Sequence, residues 1–248
     1  MNELRVSPVE GIPEVSEGMK VGELIAERIG LADGDVVVIS QKIVSKAEGR
    51  VRRLSSVLPS ADARKLAAVL GREPALVELI LEESNEVLRV GPSVVIVETK
   101  HGFVCANAGI DSSNLPDPDS VCLLPEDPDA SARRVRAEIA AAAGATVGVV
   151  VSDSFGRAWR LGQAEVAIGC AGLMPLDDWR GRQDASERRL EATLIAIADE
   201  AAAAADLVRD KVSGTPAVRV CGLDRYVGAA DGPGAAALRR PRQEDLFR

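Results

Sequence analysis

Three short runs of β-branched residues constrain this chain more than any other feature: VVVIS at 36–40, SVVIVET at 93–99 and VGVVV at 147–151. Runs of this length and make-up read as strands. Aromatic residues are only 2% of the 248, so Val, Leu, Ile and Ala must build the core. That composition suits parallel or mixed sheets under Ala-rich helices better than a small β-sandwich. The length suits one large domain, residues 1–248, or two lobes.

Between the strands, residues 21–32 have helical periodicity that Asp33-Gly34-Asp35 ends, and a further helix is expected near 60–70. PALVELILEESNEVL (74–88) reads as an amphipathic helix opened by proline, and DASARRVRAEIAAAA (129–143) as one with an Asp or Ser cap. GFVCANAGI (102–110) is the expected hairpin partner of 93–99. The prolines at 116 and 118 make 114–119 a loop, 185–208 reads as one long Ala-rich helix, and AVRVC (217–221) is the last strand. The tail from Gly228 to Arg248, rich in Gly, Ala, Pro and charge, is expected to fray. Strands and helices mix without strict alternation, so the class is α+β, or mixed α/β.

The net charge of −8 argues against nonspecific nucleic-acid binding, which needs a broad basic surface. No stretch reaches the length of a membrane span, and the N-terminus has no apolar signal core. Four dispersed cysteines without a Cys-x-x-Cys pair fit a cytoplasmic protein and argue against structural zinc. With His101 the sole histidine, any triad must use that one imidazole. No P-loop occurs, and GPGAAA (232–237) is low-complexity sequence rather than a dinucleotide fingerprint.

Polar strand ends carry the chemical interest. VVVIS runs into Ser40, Gln41 and Lys42 with Lys46 close behind; GFVCANAGI ends at Asp111-Ser112-Ser113-Asn114; GVVVS ends at Asp153-Ser154. Convergence of these ends would supply carboxylates, hydroxyls, an amide and lysines. Hard divalent cations take such oxygen ligands together with nucleotide phosphates, and lysine supplies a point charge. Plainer roles suit the same residues: Asp111 and Asp153 as turn or cap residues, Lys42 and Lys46 as a solvated face, Cys105 and Cys170 as small core residues. The arginines at 180–189 can pair with Asp177, Asp178, Asp184 and Glu187, and Trp159, in a loop, is either a packing anchor or a platform for a flat ligand.

Longer segments carry a resemblance. SQKIVSKAEGR (40–50), ETKHGFVCANAGIDSSN (98–114), LLPEDPDASARR (123–134), VVVSDSFGRAWRLGQAEVAIGCAG (149–172) and RGRQDASERRLEATLIAIADE (180–200) resemble the F-420-0 γ-glutamyl ligase family, over about Val6 to Leu223. The resemblance implies a two-lobed fold particular to that family, an intertwined homodimer, and a GTP-dependent, GDP-forming ligase that joins L-glutamate to the deazaflavin precursor F-420-0. It also implies Mg2+ or Mn2+, and leaves open whether K+ assists and how many glutamates are added.

Residue by residue, Ile12, Pro13, Glu14 and Val15 match the family's first nucleotide-contacting stretch, Gln41, Lys42 and Lys46 the second, and Asn114 a GTP contact. Asp111, Asp153 and Ser154 match metal ligands; Lys46, Asp111 and Asp153 are the expected catalytic groups. Lys211, Ser213 and Gly214 match a late nucleotide-binding segment, where the acidic or amide side chain of some relatives is missing beside Ser213. Arg157, Trp159, Arg160 and Gln163 are candidates to face an anionic, ring-bearing substrate. No nitroreductase-like domain is expected here. Two other readings stay open: another metal–nucleotide enzyme such as a small-molecule kinase, and a non-enzymatic GTP-binding protein.

Overall fold

The computed structural model describes residues 3–209 and 214–246. In chain order, β1 (Arg5–Pro8) and α1 (Val21–Ala26) precede β2 (Val36–Ser40), which runs straight into α2 (Gln41–Ala47). The middle of the chain holds β3 (Val51–Arg53), α3 (Ala61–Leu70), α4 (Pro74–Glu82), β4 (Ser84–Gly91), β5 (Val94–Thr99), β6 (Val104–Ala106) and β7 (Ser120–Cys122). Then come α5 (Pro128–Ala143), β8 (Gly148–Arg157), β9 (Arg160–Ala171), β10 (Asp177–Asp178), β11 (Leu194–Ile195), α6 (Ile197–Asp206) and β12 (Ala217–Cys221). The fold is mixed α/β.

A five-stranded sheet in the order β1-β12-β2-β8-β9 forms the centre, with β2 and β8 parallel and every other pairing antiparallel. Val36 and Val38 face α6, while Val37 and Ile39 face α1, α2 and α5. Both faces are covered, so β2 and the first half of β8 can be apolar without alternation. Ala198, Ala201, Ala202 and Ala205 let α6 lie close against the sheet. At Gly169 of β9 a Cβ would sit 2.1 Å from the Pro128 carbonyl oxygen, so the start of α5 presses directly on the strand. A smaller sheet, β4-β5-β6, buries alternate residues of β5, Val95 and Val97, against Ala63, Ala67, Leu70, Val77 and Ile80 of α3 and α4. β3 pairs with β7, and β10 with β11.

The elements depart from the sequence reading in four places. The helix expected over 74–88 stops at Glu82: Ser84–Gly91 pairs with β5, and Lys100 N–H donates to the Glu83 carbonyl at 3.0 Å to start that ladder. The helix over 21–32 is regular only to Ala26, with Arg28 turning its guanidinium onto the carbonyls of Gly11 and Leu24. Of 185–208, only Ile197–Asp206 is α-helix; Leu194 and Ile195 pair instead with Asp178 and Asp177.

The third strand does not end at Ser152–Ser154. It continues to Arg157 because β9, unseen in the sequence, pairs with it throughout. Trp159 sits at the hairpin turn with φ 58°.

The helix over 129–143 begins at Pro128 and is capped by Asp127, which accepts from Ala130 N–H at 2.9 Å. Asp129 reaches instead to the N–H groups of Cys170 and Ala235. The start of the tail is held there: Ala235 is buried, and Arg136 ties Gly228, Ala229 and Asp231. Cys105 and Cys170 are buried in the core, and all four cysteines are free thiols. Among the described residues no helix is long and apolar enough to cross a membrane.

Candidate active site

Ser40 lies opposite Ser152, so β2 and β8 end their apolar stretches side by side. Open α/β sheets bind ligands beyond the carboxyl ends of parallel strands. A cleft of about 700 Å³ opens there. Its lining includes Ile12, Pro13, Glu14 and Val15 from the N-terminal segment, Ser40–Ile43 and Lys46 from β2 and α2, and Asp111, Ser113, Asn114, Leu115 and Pro116 from the loop after β6. Asp153, Ser154, Glu165, Arg209 and residues 214–216 complete it. The three polar strand ends do converge.

The loop wall is held by two lysines one helical turn apart on α2, which therefore share a face. Lys42 Nζ donates to Asp111 Oδ2 at 2.7 Å, Ser113 Oγ at 2.7 Å and the Ser113 carbonyl at 2.9 Å. Lys46 Nζ donates to Glu14 Oε1 at 2.5 Å and the Asn114 carbonyl at 3.0 Å. Both ammonium groups are largely buried, so the solvated-face reading of this pair is wrong. Asp111 is anchored by backbone bonds exchanged with Cys122, and its side chain caps a tight turn by accepting from Ser113 N–H at 2.7 Å. Burial alone would raise the Asp111 carboxyl. Lys42 and the Ser113 donors outweigh it and leave the group below its ordinary value.

The sheet wall has the opposite balance. Burial, then the negative charge of Glu165, push the Asp153 carboxyl up to about 7, with Asp111 adding to the rise. The Ser154 backbone N–H and Lys42 compensate only in part. Ser154 Oγ donates to Glu165 Oε1 at 2.5 Å, and Arg209 Nη2 lies 2.5 Å from Glu165 Oε2. Cys105, near Asp153, is pushed up to about 12 by burial and then by that carboxylate, so it stays a thiol and is no nucleophile.

Among the described residues no three His, Cys, Asp or Glu side chains form a ready-made metal cage. What the cleft offers is two carboxylates and a hydroxyl, hard oxygen donors that fit Mg2+ or Mn2+ when phosphates complete the shell. The raised Asp153 carboxyl supports that fit, because Glu165 and Asp111 both add negative charge beside it and, among the described residues, Lys42 offsets this only in part.

Ile12, Pro13, Glu14, Val15, Gln41, Lys42, Lys46, Asp111, Asn114, Asp153, Ser154 and Gly214 thus all line one cleft. Lys211 and Ser213 lie outside the described residues. Arg157, Trp159, Arg160 and Gln163 stand on the far end of the β8–β9 hairpin, exposed and away from that lining. Farther along, Arg180 and Arg182 pair with Asp178 and Asp177, as their spacing suggested. Glu165 and Arg209 went unnoticed in the sequence. Only the strand register, which sets Glu165 opposite Ser154, reveals the first of them.

The cleft sets carboxylates against buried lysines, and comparison with known proteins gives the class of the chain: it is an amino-acid ligase. It belongs to the F420-0:Gamma-glutamyl ligase family, whose model matches residues 11–222. Coenzyme F420:L-glutamate ligase of Methanothermobacter thermautotrophicus is 45% identical over 246 residues, covering 97% of each chain. The proteins of that name from Methanopyrus kandleri and Archaeoglobus fulgidus are 44% and 42% identical, covering 99% of this chain and 98% and 96% of theirs. Membership in an enzyme family removes the non-enzymatic reading.

Proposed function

We propose that this chain joins L-glutamate to F-420-0 in coenzyme F-420 biosynthesis, using GTP and releasing GDP and phosphate, with further γ-linked glutamates as a possible continuation. The observation that carries the reading is the single cleft: segments matching the family's nucleotide stretches and its metal ligands, far apart in sequence, line the same space.

A carboxylate does not condense with an amine at neutral pH until one of its oxygens becomes a leaving group. In the proposed route the precursor carboxylate attacks the γ-phosphorus of GTP, the bond to the β-phosphate oxygen breaks, and GDP leaves. The α-amine of glutamate then attacks the acyl phosphate, phosphate departs and the amine's proton passes to solvent. Phosphoryl transfer of this kind depends on positioning and charge neutralisation rather than on an imidazole base. Asp111, Asp153 and Ser154 would hold a divalent cation, which when bound would supply part of that neutralisation. Lys46, paired with Glu14 and the Asn114 carbonyl in the free protein, would exchange that pairing for the phosphates as a point charge, and Lys42, committed to Asp111 and Ser113, fixes the carboxylate and its loop.

We place the precursor's anionic ring system against Arg157, Trp159, Arg160 and Gln163. Trp159 and Leu161 on that hairpin are 79% and 98% exposed, a surface that a second copy would cover in an intertwined, two-lobed homodimer. The free cysteines suit the cytoplasm.

The test is mass spectrometry of F-420-0 incubated with the protein, GTP, Mn2+ and L-glutamate. A gain of one glutamyl unit that requires all four components is the expected result. Nucleotide turnover that is indifferent to glutamate would favour a small-molecule kinase instead.

A further inference from the structure

Lys42 and Lys46 each meet a carboxylate, but the two pairs are built differently. Lys42 meets Asp111, whose backbone exchanges hydrogen bonds with Cys122 and whose side chain also accepts from Ser113 N–H at 2.7 Å. That carboxylate is fixed from several sides. Lys46 Nζ instead meets Glu14 Oε1 at 2.5 Å, and Glu14 stands in the irregular segment between β1 and α1. The lysine side chain is 9% exposed and the glutamate side chain 70% exposed.

This asymmetry matters because a buried ammonium needs a counter-charge. The Asn114 carbonyl accepts from Lys46 at 3.0 Å but carries no net charge, so Glu14 supplies it. An exposed glutamate can leave such a post at little cost, since water solvates its carboxylate and exposed ion pairs are weak. What its departure requires is another anion for the lysine. A phosphate brings more negative charge and more acceptor oxygens than a carboxylate.

We propose that Glu14 is an exchangeable counter-ion for Lys46, a built-in competitor that the nucleotide's phosphates displace. The inference rests on the reading of Lys46 as the point charge for those phosphates. It gives Glu14 a role opposed to that of a nucleotide ligand: its carboxylate neutralises the lysine in the empty cleft, leaves when phosphates arrive, and favours their release by returning. A purely structural tie between residues 12–15 and α2 accounts less well for the pair, because so exposed a partner stabilises little.

The test is calorimetric titration of the full chain with GTP and with guanosine at fixed Mg2+. Glu14→Gln keeps the size of the side chain and removes its charge. It should bind GTP about threefold more tightly at low salt, in line with the strength of an exposed ion pair. Guanosine, which has no phosphates, should bind as it does to the unaltered chain. The gain should fade at about 1 M salt, where charges are screened within about 3 Å. In a Lys46→Gln background, which keeps a hydrogen-bond donor but no charge, Glu14→Gln should bring no gain.

Equal or weaker GTP binding by Glu14→Gln would overturn the proposal, the weaker case making Glu14 a contact of the nucleotide. So would a gain that extends to guanosine or survives in the Lys46→Gln background. If Lys46→Gln alone binds GTP as the unaltered chain does, the phosphate reading of Lys46 fails and the exchange with it. If Lys46→Gln weakens GTP binding while Glu14→Gln leaves it unchanged, the phosphate reading stands and the exchange alone falls. Should Lys46→Gln fold poorly, the guanosine and salt comparisons on Glu14→Gln still decide, because that side chain is exposed.

Discussion

Asp111 on the loop and Asp153 on the sheet line the same cleft, and their environments drive them in opposite directions. Asp111 has its counter-charge built in: Lys42 at 2.7 Å and the Ser113 donors hold its carboxyl below the ordinary value against the effect of burial. Asp153 is left with burial and two negative neighbours, and rises to about 7. Among the described residues, one wall is therefore electrostatically balanced and the other is not. The incomplete wall is the one that would gain most from an arriving cation, while the complete wall keeps the loop 111–116 in place.

The most direct way to break this comparison is to remove Asp153. Asp153→Ala should lower turnover at least about a hundredfold, since charge stabilisation by a metal site is worth several kcal/mol, and steady-state rates at saturating GTP will show it. Near-normal rates would mean that the unbalanced carboxylate has no part in the reaction.

On the other wall, Lys42→Met should act through the loop. Truncating one partner of a largely buried, hydrogen-bonded pair is costly, but the Asp111 side chain is 43% exposed and the cost is screened accordingly. We expect destabilisation of about 1–2 kcal/mol, a Tm lower by roughly 4 °C in calorimetry, and a KM for GTP raised more than kcat is lowered. A variant with unchanged Tm and KM would show that Lys42 is not what holds this wall.

A smaller effect sharpens the contrast. A carboxyl raised in the folded state stabilises the protein fully below its unfolded value and loses that contribution as pH rises through about 7. Metal-free Asp153→Asn should therefore be more stable than the unaltered chain at pH 8, by about 3 °C or more in Tm, and the difference should close towards pH 4. Added Mn2+ should reverse the order. Smallest of all, Trp159→Ser should raise the KM for F-420-0 about threefold and leave that for GTP unchanged, since the hairpin tip lies away from the cleft lining.

The two walls also differed in how legible they were. β2 and the start of β8 announce themselves because both faces of the sheet are covered, and an unbroken Val/Ile run has few other uses. Its partner β9 was hidden: Gly162, Gln163, Glu165 and Gly169 dilute its pattern, and only pairing with β8 makes Arg160–Ala171 a strand. Glu165 and Arg209 were missed for the same reason, being lone charges whose meaning lies in a contact between distant segments. Lys42 and Lys46 were visible as a pair, but nothing local shows that α2 turns them inward onto the loop. The arginines and Trp159 were visible too, and the sequence gives no sign that a hairpin carries them away from the other site residues. In 185–208 the alanines suggested helix across a stretch whose first half is turn and short strand.

The central claim, activation of the precursor's carboxylate by phosphoryl transfer, can be tested by labelling that carboxylate with 18O. Incubation with GTP, Mn2+, L-glutamate and the protein should release inorganic phosphate carrying one 18O atom per amide formed, as mass spectrometry of the phosphate would show. Amide formed with unlabelled phosphate, the label remaining in the product or appearing in the nucleotide, would contradict it.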